Sequence, residues 1–421
     1  MKKLFMLLTT KFIVYIIAGV LFLTAFIFDS IENIYFGYLA ILQSPSVLIS
    51  DYLHIGGLGA TMFNVASIML LNLFMLQKLN IKMTGPVFAG LLTIAGFSFF
   101  GKNLFNTLPI YLGIYLYART QKLPFGSFII VILFSTGISP IVSFLLFGTE
   151  WPLFIGILAG VIVGIFTGFV LPPLATNTLR FHRGYNLYNI GFAMGVLSML
   201  YAAILRSFDI NLDLGGPSSY IYHTELMIIT ILLSSIFISF AFIKDKSVLK
   251  NYPTLLKRSG RSVSDFLKDH GKAVTMLNVG IMGLVALTLL LVLNLKISGA
   301  VMGGILTVMG FGAFGKHPRN AIPVMVGAYL GVLLTNYTLD SVGIVIALLF
   351  VTAVSPIAGK YGIIVGIVAG FIHILITPLS YAFQGGFDLY NNGFAAGFVA
   401  ALMVPVLEII LKDKKEVLDN A

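Results

Sequence analysis

Of the 421 residues, 58% are hydrophobic and 10% are charged, whereas soluble domains carry about 25% charged residues. A water-soluble globule is excluded, because so apolar a chain has too few polar side chains to cover its surface. Cysteine is absent, which removes disulfides, thiolate metal sites and a cysteine nucleophile. The net charge of +10 is confined to short loops between apolar runs, the pattern of membrane orientation rather than of nucleic-acid binding.

Long apolar runs recur from Lys11 to Lys412, each near the ~20 residues that cross a bilayer as a helix. The ~10-residue alternating strands of a barrel are missing. The spacing predicts fourteen helices, at 12–29, 56–77, 83–100, 104–118, 126–146, 152–174, 186–205, 219–243, 272–293, 298–314, 319–335, 339–357, 361–379 and 389–411. The Met1-Lys2-Lys3 start before the first run imitates a signal peptide, but no small-residue cleavage site follows, so a retained first helix is expected. With the N-terminus inside, alternate loops collect Lys78, Lys82, Arg119, Lys122, Arg180, Arg183, Lys316, Arg319, Lys360 and the basic 244–272 connection. Of the 26 Lys and Arg, only Lys102, Arg206 and Lys296 fall outside. This bias predicts a multi-pass protein of a bacterial inner membrane with both termini cytoplasmic. The 244–272 connection reads as a cytosolic linker with an amphipathic surface helix, its cations within reach of lipid headgroups.

An internal repeat runs through the chain. Thr61-Met62-Phe63-Asn64-Val65 recurs as Thr275-Met276-Leu277-Asn278-Val279, an offset of 214 residues. Ser50-Asp51-Tyr52-Leu53 returns as Ser264-Asp265-Phe266-Leu267, and Asn80-Ile81-Lys82 as Asn294-Leu295-Lys296. Gly101-Lys102, Asn106, Pro109 and Gly113 return as Gly315-Lys316, Asn320, Pro323 and Gly327, and Ser139-Pro140 as Ser355-Pro356. Gly184-Tyr185-Asn186-Leu187-Tyr188-Asn189 answers Gly386-Phe387-Asp388-Leu389-Tyr390-Asn391. Each unit holds seven predicted helices, and an odd number inserts the second copy in the opposite orientation. The expected fold is therefore all-α and membrane-embedded, about fourteen transmembrane helices in two inverted seven-helix repeats, with broken or re-entrant helices allowed. Residues 1–49 form the first helix and an outer loop, and 50–207 the core of repeat 1. Residues 208–263 form the eighth helix and cytoplasmic linker, 264–412 the core of repeat 2, and 413–421 a cytoplasmic tail.

At these repeated motifs the chain resembles a bacterial family of duplicated integral membrane proteins described as a domain of unknown function. The resemblance covers nearly the whole chain and implies a membrane location, without supplying substrate, reaction or catalytic residue. The seven-plus-seven layout also looks like that of nucleobase and anion carriers, in helix count alone.

Two repeated motifs bear polar groups where apolar residues are the rule. The first, Gly-Lys-x-x-x-Asn-x-x-Pro-x-x-x-Gly at 101–113 and 315–327, nominates Lys102, Asn106, Lys316 and Asn320. Either the lysines snorkel at the ends of spanning helices, or they tip re-entrant hairpins, where an intramembrane cation is expensive and functional. The second, at 184–196 and 386–398, nominates Asn186, Tyr188, Asn189, Asp388, Tyr390 and Asn391. Either Asn189 and Asn391 cap helices while the glycines permit close packing, or an unwound segment offers carbonyls and side chains to a polar solute. Asp388 replaces Asn186, so the copies differ in charge.

Other features carry packing rather than chemistry. Thr61, Asn64, Thr275 and Asn278, with Ser139 and Ser355 before prolines, suit interhelical hydrogen bonds. Gly156, Gly160, Gly164 and Gly168, echoed by Gly362, Gly366 and Gly370, form a packing ladder. Gly310-Phe311-Gly312-Ala313-Phe314-Gly315 matches a dinucleotide fingerprint but lies in a membrane helix without a preceding strand. His182, His317 and His373 are too scattered for a metal site, and no metal, cofactor or catalytic residue is expected. Asp388 is the one deep carboxylate, with Asp29, Asp51, Glu225, Asp340 and Glu408 near helix ends.

The expected function is a secondary carrier for a small polar or anionic solute, bound where the inverted repeats meet. A passive channel is the alternative. An intramembrane lipid-modifying enzyme built on Arg180, His182 and Arg183 or on Lys316, His317 and Arg319 is a third, lacking a nucleophile–base pair. The expected partners are the lipid bilayer and the solute, with a homodimer allowed and nucleic acid excluded.

Overall fold

The computed structural model describes residues 10–47, 50–212 and 216–419, with side chains to residue 410. The Met1-Lys2-Lys3 start lies outside the described residues, as do the last two positions of the 413–421 tail, which is otherwise helical. Among the described residues the regular structure is helical, with one isolated antiparallel bridge between Asp51 and Phe100.

The first half contains α1 (Thr10–Phe28), α2 (Ile31–Leu42), α3 (Tyr52–Lys78), α4 (Gly85–Phe97) and α5 (Leu104–Thr120). A broken helix follows, α6 (Ile129–Ser135) and α7 (Pro140–Phe147), joined by a 3-10 turn at Thr136–Ile138. Then come α8 (Leu153–Phe181) and α9 (Asn189–Ser207). The second half contains α10 (His223–Lys244), α11 (Val248–Leu256), α12 (Phe266–Asp269), α13 (Gly271–Val292), α14 (Gly299–Phe311) and α15 (Pro318–Leu333). Its broken helix is α16 (Val342–Phe350) and α17 (Ser355–Tyr361), joined by a 3-10 turn at Val351–Val354. It ends with α18 (Ile363–Gln384) and α19 (Asn391–Asp419).

All fourteen expected helical segments exist, but only ten helices among the described residues are long and apolar enough to cross a membrane. The remaining four are α4, α5, α14 and α15, of 13, 17, 13 and 16 residues. At 1.5 Å per residue, a 13-residue helix covers about 20 Å of a ~30 Å hydrocarbon core. The shortfall has a local cause: Gly101 at φ +70° and Gly315 at φ +98° turn the chain sharply, in a region open to glycine without strain.

The outer loop expected at 30–49 contains a helix instead. Ser30 caps α2 by accepting a hydrogen bond from Asn33 N at 3.2 Å, and Glu32 stands in the first turn. Twelve residues are too few to span, so periodicity over a membrane-length window misses it. The amphipathic surface helix expected in the linker is α11.

Packing is also duplicated. α1 lies on α3 as α10 lies on α13, and α5 lies on α8 as α15 lies on α18. The halves meet where α4 crosses α14 and α9 crosses α19. These crossings are close because they are built of small residues: a Cβ on Gly96 would stand 2.7 Å from Gly303 O, and one on Gly310 3.0 Å from Ala89 O. The glycine ladder packs as expected along α8 and at Gly366 and Gly370, but not at Gly362. That residue adopts φ +97° between α17 and α18, with open space around its α-carbon, and serves as a corner.

Candidate functional site

Each short helix pair, α4–α5 and α14–α15, breaks at the Gly-Lys motif, and the broken backbone is tied down by side chains. Asn64 donates through Nδ2 to Ser98 O and Lys102 O, both at 2.8 Å. Asn278 does the same to Gly312 O and Lys316 O, both at 2.7 Å. Asn106 donates to Gly101 O and Ser143 Oγ and accepts from Asn103 N. Asn320 donates to Gly315 O and Ser259 O and accepts from His317 N. These four asparagines satisfy freed backbone groups, as buried polar groups must. Asn106 and Asn320, nominated as solute contacts, hold the breaks together.

The lysines behave differently. Lys102 and Lys316 are 1% and 0% exposed. The Lys316 ammonium donates to Tyr188 OH at 2.5 Å and Thr352 Oγ1 at 2.7 Å, and lies 4.3 Å from the Tyr188 ring centroid and 4.8 Å from that of Phe311. Lys102 donates to Thr136 Oγ1 and lies 5.6 Å from the Phe97 centroid. Among the described residues the ion pairs are Arg183–Glu408 and Arg258–Asp269, and neither includes these lysines. Each buried lysine nitrogen is thus held by hydroxyls and ring faces alone.

Each pocket draws on both halves. Leu187 N donates to Ala353 O and Leu389 N to Gly137 O, both at 2.9 Å, docking each tyrosine motif on the other half's 3-10 break. Tyr188 consequently meets Lys316 and Thr352. Tyr390 reaches the first half but donates to Thr93 Oγ1 at 3.0 Å rather than pairing with Lys102. Between the lysines lies a ring cluster of Phe97, Phe134, Phe311, Phe350, Tyr188 and Tyr390. The tyrosine centroids are 4.7 Å apart, Phe97 is 4.5 Å from Tyr390, and Phe311 is 4.8 Å from Tyr188.

The other nominated residues shape this centre. Asn186 accepts from Tyr188 N and donates to Gly393 O, both at 2.8 Å. Asp388 accepts from Tyr390 N at 2.8 Å, while its Oδ2 is buried without a partner. Asn189 does not cap α9. It ties that helix to the end of α8, donating to Ala175 O and accepting from Thr178 Oγ1 and His182 Nε2. Asn391 opens α19 and accepts from Asn392 Nδ2 at 2.7 Å.

Two cavities approach the centre at positions related by the repeat. One, about 160 Å³, runs from Ser262 and Val263 past Ile130 and Asn189 to Tyr188, Tyr390 and Phe311. The other, about 190 Å³, is lined by Ile346, Tyr381, Asn391 and Asn392, counterparts of Ile130, Leu179, Asn189 and Ile190, and does not reach the tyrosines.

Sequence reasoning overlooked Thr93, Thr136, Thr352 and the four phenylalanines. The signal was present: Thr93/Thr307 and Phe97/Phe311 recur at the offset of 214, and Phe134/Phe350 and Thr136/Thr352 at 216. Asp51 was also undervalued. It caps α3 but is 2% exposed, and its carboxylate accepts from Leu53 N, Ser219 N and Gly299 N, the last opening α14 of the other half. Asp265 mirrors it by accepting from Gly85 N, which opens α4, at 2.8 Å.

A multi-pass helical membrane protein with two buried lysines inside its helices is the class that this fold and site define. The chain belongs to the family described as "Protein of unknown function (DUF1576)", whose model matches residues 30–207 and again 244–409. No curated protein and no solved structure matches the chain.

Proposed function

We propose that the protein is a secondary carrier for a small anionic solute, bound between Lys102 and Lys316 where two inverted seven-helix repeats meet. One observation carries this reading: two fully buried lysine amines have hydroxyl and aromatic neighbours but no carboxylate. A lysine so placed is costly inside a membrane protein and is kept where it can meet a passing charge. In this arrangement α4–α5 and α14–α15 are hairpins entering from opposite faces, and both termini are cytoplasmic in a bacterial inner membrane. The Thr136 and Tyr188 hydroxyls, which accept from the lysines, supply further donors to the anion.

The inequality of the two sides supports alternating access. The cavity beside the 244–272 linker touches the tyrosines, whereas its counterpart stops short of them. Tyr188 pairs with a lysine, whereas Tyr390 pairs with a threonine. A carrier with one side ajar has this asymmetry, and exchanging the two hydrogen-bond patterns would open the other.

A thermal-shift screen of the purified protein against small anions should find a stabilising ligand, since a ligand bound only by the folded state raises stability by mass action. Counterflow of that ligand in proteoliposomes should then saturate. Unsaturated flux with unit currents would replace the carrier by a channel. Stabilisation only by neutral or cationic solutes would overturn the anion assignment.

A further inference from the structure

A second polar cavity, of about 480 Å³, lies beneath the 244–272 linker, at the end that the proposed orientation makes cytoplasmic. Its polar lining is Lys257, Arg258, His317, Arg319 and Lys360, with Leu256, Ala358 and Ile363 among its apolar walls. Only Arg258 has a carboxylate partner, Asp269 at 3.5 Å. His317 is 1% exposed; its Nε2 donates to Arg258 O at 2.8 Å, and its Nδ1 is buried without a partner. With the proton on Nε2, Nδ1 carries a lone pair and can accept a hydrogen bond.

The repeat supplies an internal control. The counterparts of these five residues in the first half are Gln43, Ser44, Asn103, Phe105 and Phe144, none of them charged. There Asn103 donates to Ile41 O and Tyr52 OH. A preference for cations on the inner face accounts for Lys and Arg in loops. It does not account for a walled cavity with a buried histidine whose acceptor is unused.

We propose that this cavity binds a phosphate group bearing one hydroxyl, its P–O⁻ oxygens on Lys257, Arg319 and Lys360 and its P–OH donating to His317 Nδ1. Arginine and lysine are the usual phosphate partners. The group could come from an anionic lipid headgroup or from a soluble phosphate. The rim favours lipid, because Ile363 in the wall and its neighbour Ile364 are 61% and 78% exposed and would meet acyl chains. The site is separate from the Lys102–Lys316 centre and does not rest on the carrier reading.

The test uses full-length protein in zwitterionic detergent, titrated with phosphatidic acid in mixed micelles and, separately, with inorganic phosphate. Binding is followed by thermal shift, with phosphatidylcholine as the blank. Stabilisation by phosphatidic acid beyond phosphatidylcholine identifies the lipid source, and saturable stabilisation by inorganic phosphate identifies the soluble one. The exposed double variant R319A/K360A should weaken either response at least tenfold. His317→Asn, which installs the other half's residue, should weaken it severalfold. No response to either probe, or equal responses from wild type and the double variant, would overturn the proposal.

Discussion

Replacing Lys316 by methionine separates a lysine kept for a solute from one kept for the fold. The wild-type ammonium donates to two hydroxyls, at 2.5 and 2.7 Å. Hydrogen bonds to a charged group are worth about 1.5–3 kcal/mol each, together roughly 3–6 kcal/mol. Against this stands a desolvation penalty of several kcal/mol for an ammonium withdrawn from water. The two nearly cancel. Methionine fills a similar volume, a kind of exchange that usually costs under about 1.5 kcal/mol. Thr352 Oγ1 keeps its hydrogen bond to Leu349 O at 2.6 Å. Lys316→Met should therefore unfold within about 1.5 kcal/mol of wild type while losing at least tenfold in anion affinity, which is about 1.4 kcal/mol. Thermal unfolding of the purified variant, with and without the anion found by screening, measures both. A variant destabilised by more than about 3 kcal/mol, the scale of a broken buried partnership, that still binds the anion normally would show the lysine to be structural.

Asp51→Ala strips the acceptor from three buried N–H groups, each costing about 1–3 kcal/mol when unsatisfied. It should lower thermal stability far more than Asp265→Ala, whose carboxylate holds two N–H groups on a less buried residue; equal losses would contradict the cross-half capping. Cysteine replacements are unambiguous in a chain without native cysteine. Those at Lys122, Arg183 and Lys360 should resist an impermeant reagent added outside sealed cells, and those at Glu150 and Asp340 should react; the reverse pattern would invert the proposed orientation. On the exposed linker, His270 is held below the ordinary histidine value of 6.5 by partial burial, and then by the Arg258 guanidinium. Its unfolded form binds the proton more readily, so linker stability is full above that value and falls as pH drops towards the lowered folded one. Hydrogen exchange across 248–270 should quicken in that window for wild type and not for His270→Gln.

The sequence by itself determined the membrane class, the helical segments and the duplication, because these rest on local properties: apolar runs, loop charge and motifs repeated in order. It also singled out Lys102, Lys316, Tyr188 and Tyr390, since a polar residue kept in both halves of an apolar chain stands out without any coordinates. It did not show which of the repeated polar residues tie the backbone breaks and which face the rings. Asn106 and Lys102 come from one motif, yet the asparagine spends its amide on a turn bent by Gly101, while the lysine points into a cluster of rings. Only the tertiary structure decided that Tyr188 of one half serves Lys316 of the other, because Leu187 N reaches Ala353 O across about 166 residues of chain, a pairing set by long-range docking. It alone decided that α4 and α14 stop short, where positive-φ glycines turn backbones that hydropathy reads as continuous. It alone showed that the cavity beside the linker reaches Tyr188 and Tyr390 while the cavity at the corresponding positions does not, since that depends on how side chains pack across the two halves.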